Sequence, residues 1–150
     1  MHDISDKNIT LTPLDLISSL GIFDLDPCAA PYHITAKEHI LLPRDGLKEE
    51  WNGRTWLNPP YNNPIPWLKK LSEHNNGIAL VLASMEVGWM HDYVFPKANS
   101  ILFLRGRPKF MRLDKTSVSI MRGTVLVAYG PENSFALQNS GLKGKFIPLK

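Results

Sequence analysis

The stretch TWLNPPYNNP, residues 55–64, places two consecutive prolines directly after a short apolar run. Residues 54–57 predict a strand that leads into this turn. Proline fixes its own backbone and restricts the residue before it, so Asn58 and Pro59 are expected in extended conformation. Because prolines have no N–H, the Asn58 side-chain oxygen and the Pro59 carbonyl can accept both N–H bonds of one amine. Tyr61 adds a flat face for stacking, so the turn is suited to holding an aromatic amine. The alternative is a purely structural turn with a packed tyrosine.

Short apolar runs alternate with helical patterns along the rest of the chain. Strands are predicted at residues 22–26, 38–43, 54–57, 78–84, 100–106 and 123–130, and helices at residues 11–21, 65–77 and 86–96. This alternation predicts a compact α/β fold with a mainly parallel sheet and flanking helices. Ligands of such sheets bind beyond the carboxyl ends of the strands, where Asp26, Asn58 and Ser84 are expected to share one edge. In the first helix, Thr12 is suited to cap the N-terminus.

The composition is that of one globular domain, residues 1–150. Hydrophobic residues make up 43% of the chain and charged residues 21%, which excludes a disordered polypeptide. No apolar run approaches the roughly 20 residues that span a bilayer. The first ten residues lack the basic-then-apolar layout of a signal peptide. We therefore expect a cytoplasmic protein with no membrane partner.

Cysteine and histidine indicate no metal centre. The single cysteine, Cys28, excludes an internal disulfide and is interpreted as a small packing residue rather than a nucleophile. The five histidines show no spacing typical of metal ligands, so no metal is expected.

Charge is divided unevenly along the chain. Residues 1–50 hold nine acidic and four basic side chains, whereas residues 51–150 hold five acidic and thirteen basic ones. Residues 105–122 alone carry six basic side chains and one acidic side chain. Such a stretch either contacts nucleic-acid phosphates or is an ordinary solvated loop.

Several motifs in this order resemble the phage-encoded adenine methyltransferases of the Dam type. They are LTP at residues 11–13, DLDPCAAP at residues 24–31, RDGL at residues 44–47, WLNPPY at residues 56–61 and FLRGRPKF at residues 103–110. The resemblance extends over roughly residues 10–129. It implies a Rossmann-like fold of the S-adenosylmethionine-dependent class, methylation of adenine N6 in double-stranded DNA, and a target base flipped out of the helix.

The resemblance also implies roles for individual residues. Its cofactor-binding group would be Thr12, Asp26, Pro27, Cys28, Ala29 and Asp45. Its catalytic group, which holds the flipped adenine, would be Asn58, Pro59, Pro60 and Tyr61. Given this family, Arg105, Arg107 and Lys109 are expected to contact DNA. No separate target-recognition domain fits in the chain.

The sequence departs from the family pattern at one loop. Glycines expected after the Asp-Pro pair are replaced by Ala29, Ala30 and Pro31. Glycine there lets the backbone approach a ligand closely. The acidic contact to the cofactor ribose has only Glu38 as a candidate. Two alternatives to a DNA methyltransferase stay open. One is a methyltransferase acting on RNA or protein amides, since NPPY also occurs in such enzymes; the other, which the missing glycines favour, is a degenerate module that binds DNA or cofactor without turnover. The target sequence and the oligomeric state are left open as well.

Overall fold

The computed structural model describes residues 10–118 and 122–150. Its helices are α1 (Leu14–Ser18), α2 (Ile65–His74), α3 (Pro131–Gln138) and a π-helical turn, Met90–Val94. Its strands are β1 (Leu25–Asp26), β2 (Glu38–His39), β3 (Thr55–Leu57), β4 (Gly77–Leu82), β5 (Ser100–Leu104), β6 (Phe110–Met111), β7 (Ser117–Val118), β8 (Thr124–Tyr129) and β9 (Gly144–Pro148). None of the described helices is both long enough and apolar enough to span a membrane.

Seven strands form one mixed sheet in the order β2-β1-β3-β4-β8-β5-β9, within the described part of the chain. The pairs β1–β2, β1–β3 and β3–β4 are parallel, whereas β8 is antiparallel to both β4 and β5, and β9 is antiparallel to β5. The α/β class is confirmed. A mainly parallel sheet is not, because the longest pairings are antiparallel. Strand β8 is buried along its whole length, and a continuous apolar run of this kind does not reveal strand direction.

Strand direction defines the edge where the predicted site lies. Since β4 and β5 are both antiparallel to β8, strands β1 to β5 all run the same way. Their carboxyl ends therefore meet at one edge, which we call the site edge. Asp26 ends β1, Asn58 follows β3, and Ser84 lies two residues beyond β4. The prediction that these three residues share one edge is confirmed.

The core lies on both faces of the sheet. Along β4, Ile78 and Leu80 belong to the cluster beneath α1, whereas Ala79 and Val81 belong to the cluster beneath α2 and the π-helical turn. This alternation follows from the two-residue period of a strand. Covering both faces fixes the strand ends, and hence the site edge, in position.

Local structure differs from the sequence prediction in several places. Helix α1 has Pro13 as its N-cap residue and no side-chain cap, so the prediction that Thr12 caps it is wrong. The helix predicted at residues 86–96 is only the short π-helical turn. The β6–β7 hairpin, α3 and β9 were not predicted. Residues 119–121, near the end of the basic stretch at residues 105–122, lie outside the described residues.

Candidate active site at the ends of the parallel strands

Thr10 and Thr12 orient the side-chain amide of Asn58. Its Nδ2 donates to the Thr10 carbonyl at 3.1 Å and to the Thr12 hydroxyl at 3.3 Å. A carbonyl can only accept, so the nitrogen must face Thr10. Asn58 Oδ1 is buried and has no hydrogen-bond partner among residues 10–118 and 122–150. Leaving a buried acceptor unpaired costs about 1–3 kcal/mol, so a ligand that donates a hydrogen bond there recovers this free energy.

Thr12 links Asn58 to the loop that joins β1 and β2. Thr12 is 1% exposed, and its carbonyl accepts a hydrogen bond from His33 Nε2 at 2.9 Å. Burial lowers the pKa of His33, the Thr12 carbonyl opposes this, and the charge of Lys115 lowers the pKa further. His33 is therefore neutral near pH 7 and carries its proton on Nε2. These contacts hold residues 10–12 between the turn that contains Asn58 and the loop that joins β1 and β2.

An apolar depression lies beside the two prolines. It is lined by Pro59, Tyr61, Pro64, Val81, Leu82 and Trp89. Burial raises the pKa of Tyr61, while the Thr10 side chain opposes the rise. Sequence reasoning missed the place of Trp89 in this wall. The depression thus includes two aromatic side chains and begins at Pro59, the residue that follows Asn58.

Asp26 is a buried carboxylate held by its own loop. It is 4% exposed. Its Oδ1 accepts from the Cys28 backbone N–H at 3.2 Å, and its Oδ2 accepts from the Thr35 hydroxyl. Burial raises the pKa of Asp26 to about 6, although both hydrogen bonds oppose the rise. No Lys or Arg of residues 10–118 and 122–150 pairs with it.

His39 fastens the end of the same loop. Its Nε2 accepts from the backbone N–H groups of Thr35 and Ala36, each at 3.2 Å. Burial lowers the pKa of His39, which favours the neutral ring that this acceptor role requires. No local sequence pattern indicates these roles for His33, Thr35 or His39, because their partners are backbone groups or lie in another strand.

The remaining predicted cofactor residues lie along two packed loops. A Cβ at position 46 would come within 1.9 Å of the Pro27 carbonyl oxygen, so glycine at that position lets the loops touch. The neighbouring Asp45 accepts from the Leu47 N–H at 2.9 Å and so orders its own turn. Cys28 is partly buried, and burial together with the charge of Asp26 raises the pKa of its thiol. The thiol is therefore protonated, which argues against a nucleophilic role.

The basic stretch is fastened to the segment beside Asn58. Leu11 and Met111 exchange two backbone hydrogen bonds, at 2.7 and 3.1 Å, which joins the β6–β7 hairpin to residues 10–12. Phe110 is 1% exposed and anchors the hairpin in the core. Arg105 follows β5 directly and lies at the site edge. Arg105, Arg107 and Lys109 are exposed.

The comparison with known families settles membership. The family described as DNA N-6-adenine-methyltransferase (Dam) matches residues 4–133. The chain belongs to the Dam family. A DNA N-6-adenine-methyltransferase of Escherichia phage T1 is 32% identical over 93 residues, which cover 55% of this chain and 39% of the phage protein. This Dam chain therefore spans less than half the length of that relative. No solved structure matches the chain.

The match to the Dam family contains every residue predicted for the site. In this Dam chain, two groups of those residues lie at the site edge. The first, around Asn58, is joined by hydrogen bonds to Thr12, which was predicted to contact the cofactor. The second, around Asp26, is joined to Cys28. In the described residues, no group of three His, Cys, Asp or Glu side chains could hold a metal ion.

Proposed function

We propose that this chain transfers the methyl group of S-adenosylmethionine to N6 of adenine in double-stranded DNA. The observation that carries the proposal is the buried Oδ1 of Asn58, which has no hydrogen-bond partner in the part of the chain that the structure describes. Membership in the Dam family supports the reaction class. The similarity to a DNA N-6-adenine-methyltransferase of phage T1 supports the choice of adenine in DNA.

The target amine matches the acceptors at the NPPY turn. Adenine N6 carries two N–H bonds, and Asn58 Oδ1 and the Pro59 carbonyl accept one each. Accepting both draws the nitrogen lone pair out of conjugation with the ring and makes the amine more nucleophilic. The adenine ring stacks on Tyr61 in the apolar depression. Since this amine is base-paired within a duplex, the adenine must flip out of the base stack to reach the site. Catalysis is then chiefly positioning by a rigid turn.

The residues around Asp26 fit the cofactor chemically. S-adenosylmethionine supplies the methyl group from a sulfonium centre and also carries an ammonium group. A buried carboxylate with a raised pKa and no cationic partner among the described residues is stabilised by a bound cation. We assign Asp26, Pro27, Cys28 and Ala29 to the methionine moiety, and Asp45 to the neighbouring part of the cofactor.

Thr12 acts on the base side of the site in this proposal. Its hydroxyl accepts from Asn58 Nδ2, so it sets the direction of the catalytic amide. Arg105, Arg107 and Lys109 contact DNA phosphates, since they are exposed and Arg105 lies at the site edge. Pro60 keeps the turn rigid and is itself buried.

The test is transfer of tritiated methyl groups to unmethylated DNA, with RNA and protein as parallel substrates. The parent should label DNA preferentially. Asn58→Ala should lose about 10²–10³ in single-turnover rate, the usual effect of removing one positioned hydrogen-bonding group. Asn62→Ala is the matched control, because Asn62 is an exposed amide in the same turn. Labelling by Asn58→Ala at the parent rate would refute the catalytic assignment.

A binding module without turnover is the second candidate. The replacement of the expected glycines by Ala29, Ala30 and Pro31 favours it. In addition, the Ala29 N–H donates to the Ile40 carbonyl at 3.3 Å, so it is engaged by the protein itself. Binding of cofactor and DNA by the parent with no label incorporated under any condition would establish this candidate instead.

A further inference from the structure

The loop between β1 and β2 exposes two large hydrophobic side chains beside the candidate base site. Tyr32 is 94% exposed and Ile34 is 71% exposed, whereas His33 between them is 6% exposed. His33 points inward to the Thr12 carbonyl, at 2.9 Å. Thr12 in turn contacts Asn58, at 3.3 Å. The two exposed side chains therefore flank a residue that is only one hydrogen-bonded neighbour away from the catalytic amide.

Residues 33–36 of this loop are tied to the protein by hydrogen bonds, so the exposed side chains belong to an ordered segment. Thr35 donates its hydroxyl to the buried Asp26. The Thr35 and Ala36 N–H groups both donate to His39 at 3.2 Å. Together with the His33 contact, these bonds tie three of the loop's residues to the protein. Tyr32 and Ile34 therefore form an exposed apolar surface on an ordered loop, and a binding partner can cover this surface.

The charge around the loop favours DNA as that partner. The charge of Lys115 reaches His33 and lowers its pKa. Arg112 and Lys115 lie in the turn of the β6–β7 hairpin, and the exposed Lys109 directly precedes β6. The Asp114 carboxylate is engaged within that turn, accepting from the Thr116 N–H at 3.0 Å and hydroxyl at 2.6 Å. A surface of this kind is suited to DNA, because its basic side chains can bind phosphates while its apolar side chains contact the faces of bases.

We propose that Tyr32 and Ile34 form a wedge that enters duplex DNA and fills the gap left in the stack by the flipped adenine. This rests on the proposed function, because it assigns these residues to base opening for the same site. Apolar side chains inserted between base steps are a general means of unstacking DNA. The wedge stabilises the opened duplex while Asn58 and Tyr61 hold the extruded base.

The test compares paired and pre-opened targets. Sequencing of DNA methylated by the parent locates the target adenine, and two duplexes are then made, with that adenine opposite thymine or opposite an abasic position. The Tyr32→Asn/Ile34→Ser double variant should methylate the paired duplex about 5- to 150-fold more slowly, the factor expected for one lost base–aromatic stack. On the abasic duplex its rate should return to near the parent's. Tyr32→Phe, which keeps the ring, should retain the parent rate on both.

Ile22→Ser and Phe135→Ala are matched controls, because these side chains are 75% and 69% exposed. Ile22 lies ahead of β1, at the opposite edge of the sheet, and Phe135 lies in α3. Both controls should keep the parent rate on the paired duplex.

Three results would overturn the wedge while the proposed function stands. They are an unchanged rate for the double variant on the paired duplex, an equal loss on both duplexes, and a change in cofactor affinity or in oligomeric mass. In each case Asn58→Ala still methylates about 10²–10³ times more slowly than an active parent. Absence of methyl transfer by the parent is a different outcome, since it removes the proposed function and the wedge with it.

Discussion

The Thr12 hydroxyl lies 3.3 Å from Asn58 Nδ2, across 46 residues of sequence. Together with the Thr10 carbonyl at 3.1 Å, it engages both N–H groups of the amide. The amide nitrogen is thereby turned toward residues 10–12, and the buried Oδ1 is left without a partner among the described residues. A residue that the sequence predicts as a cofactor contact therefore orients the amide that we propose as the acceptor for the target amine.

Replacing Thr12 tests this aiming role. Thr12→Val removes the hydroxyl while keeping the shape, so one Asn58 N–H loses its acceptor and the amide is less firmly oriented. We expect a fall of about 2- to 10-fold in the methylation rate, corresponding to one net hydrogen bond. Cofactor affinity, measured by isothermal titration calorimetry, should stay at the parent value. Thr12→Ser, which keeps the hydroxyl, should methylate like the parent. Weaker cofactor binding by Thr12→Val would instead place Thr12 in the cofactor site.

The buried Asp26 should make stability depend on pH. Its pKa rises from 3.8 to about 6 on folding, so the folded state binds the proton more tightly than the unfolded state. This contribution to stability is present below about pH 4 and is lost as the pH rises through about 6. Relative to Asp26→Asn, the parent should lose about 3 kcal/mol of unfolding free energy across that window. Denaturant titrations of both proteins at several pH values measure the difference. A constant difference would contradict the shift.

Cofactor binding should respond to the same carboxyl in the opposite sense. A cationic ligand is attracted to ionised Asp26 and not to the protonated form. The affinity of the parent for S-adenosylmethionine should therefore rise as the pH increases through about 6. Asp26→Asn should bind more weakly and without this pH dependence. Equal affinity of the two proteins at pH 7 would remove Asp26 from the cofactor site.

The strand ends could be predicted from the sequence because their signals are local. At Asp26 and Asn58, a short apolar run stops at a polar residue followed by proline, and both strands end there. Helix α2 was also predicted, since its apolar face and its stop near Asn75 lie within one segment. Because the carboxyl ends of parallel strands lie at the same edge of a sheet, the position of the site edge could be predicted from these strand ends.

The contacts that complete the site could not be predicted, because each depends on residues distant in the chain. His33 meets the Thr12 carbonyl across 21 residues, and no side-chain pattern records a partner that is backbone. The direction of β8 could not be predicted either, because a strand buried on both faces has the same apolar pattern whether it is parallel or antiparallel to its neighbours. The strands β6 and β7 have two residues each, too short to show an alternating pattern.

The exposed basic residues after β5 should set the salt dependence of DNA binding. Neutralising Arg105, Arg107 and Lys109 to glutamine should weaken binding to all sequences alike. The slope of log affinity against log salt should flatten by about one unit for each lost phosphate contact. Fluorescence anisotropy with labelled duplexes over a salt series measures it.

A control for this slope comes from the opposite edge of the sheet. Lys97 precedes β5, and Lys150 follows β9, where its Nζ donates to the Lys97 carbonyl at 3.0 Å. The Lys97→Gln/Lys150→Gln variant should keep the parent slope. If both variants change the slope equally per charge, the stretch after β5 is only part of a general positive field.

The Tyr61 ring should act in capturing the base, and its hydroxyl should matter little. The ring lines the apolar depression with Pro59 and Trp89, so Tyr61→Ala removes a stacking face worth about 1–3 kcal/mol. We expect this loss mainly as a raised KM for duplex DNA, with cofactor affinity unchanged. Tyr61→Phe and Tyr61→Trp keep a flat ring and should retain most activity. Steady-state methylation across DNA concentrations, with thermal unfolding to check the fold, separates the cases. If Tyr61→Phe loses as much as Tyr61→Ala, the buried hydroxyl and not the ring is the functional group.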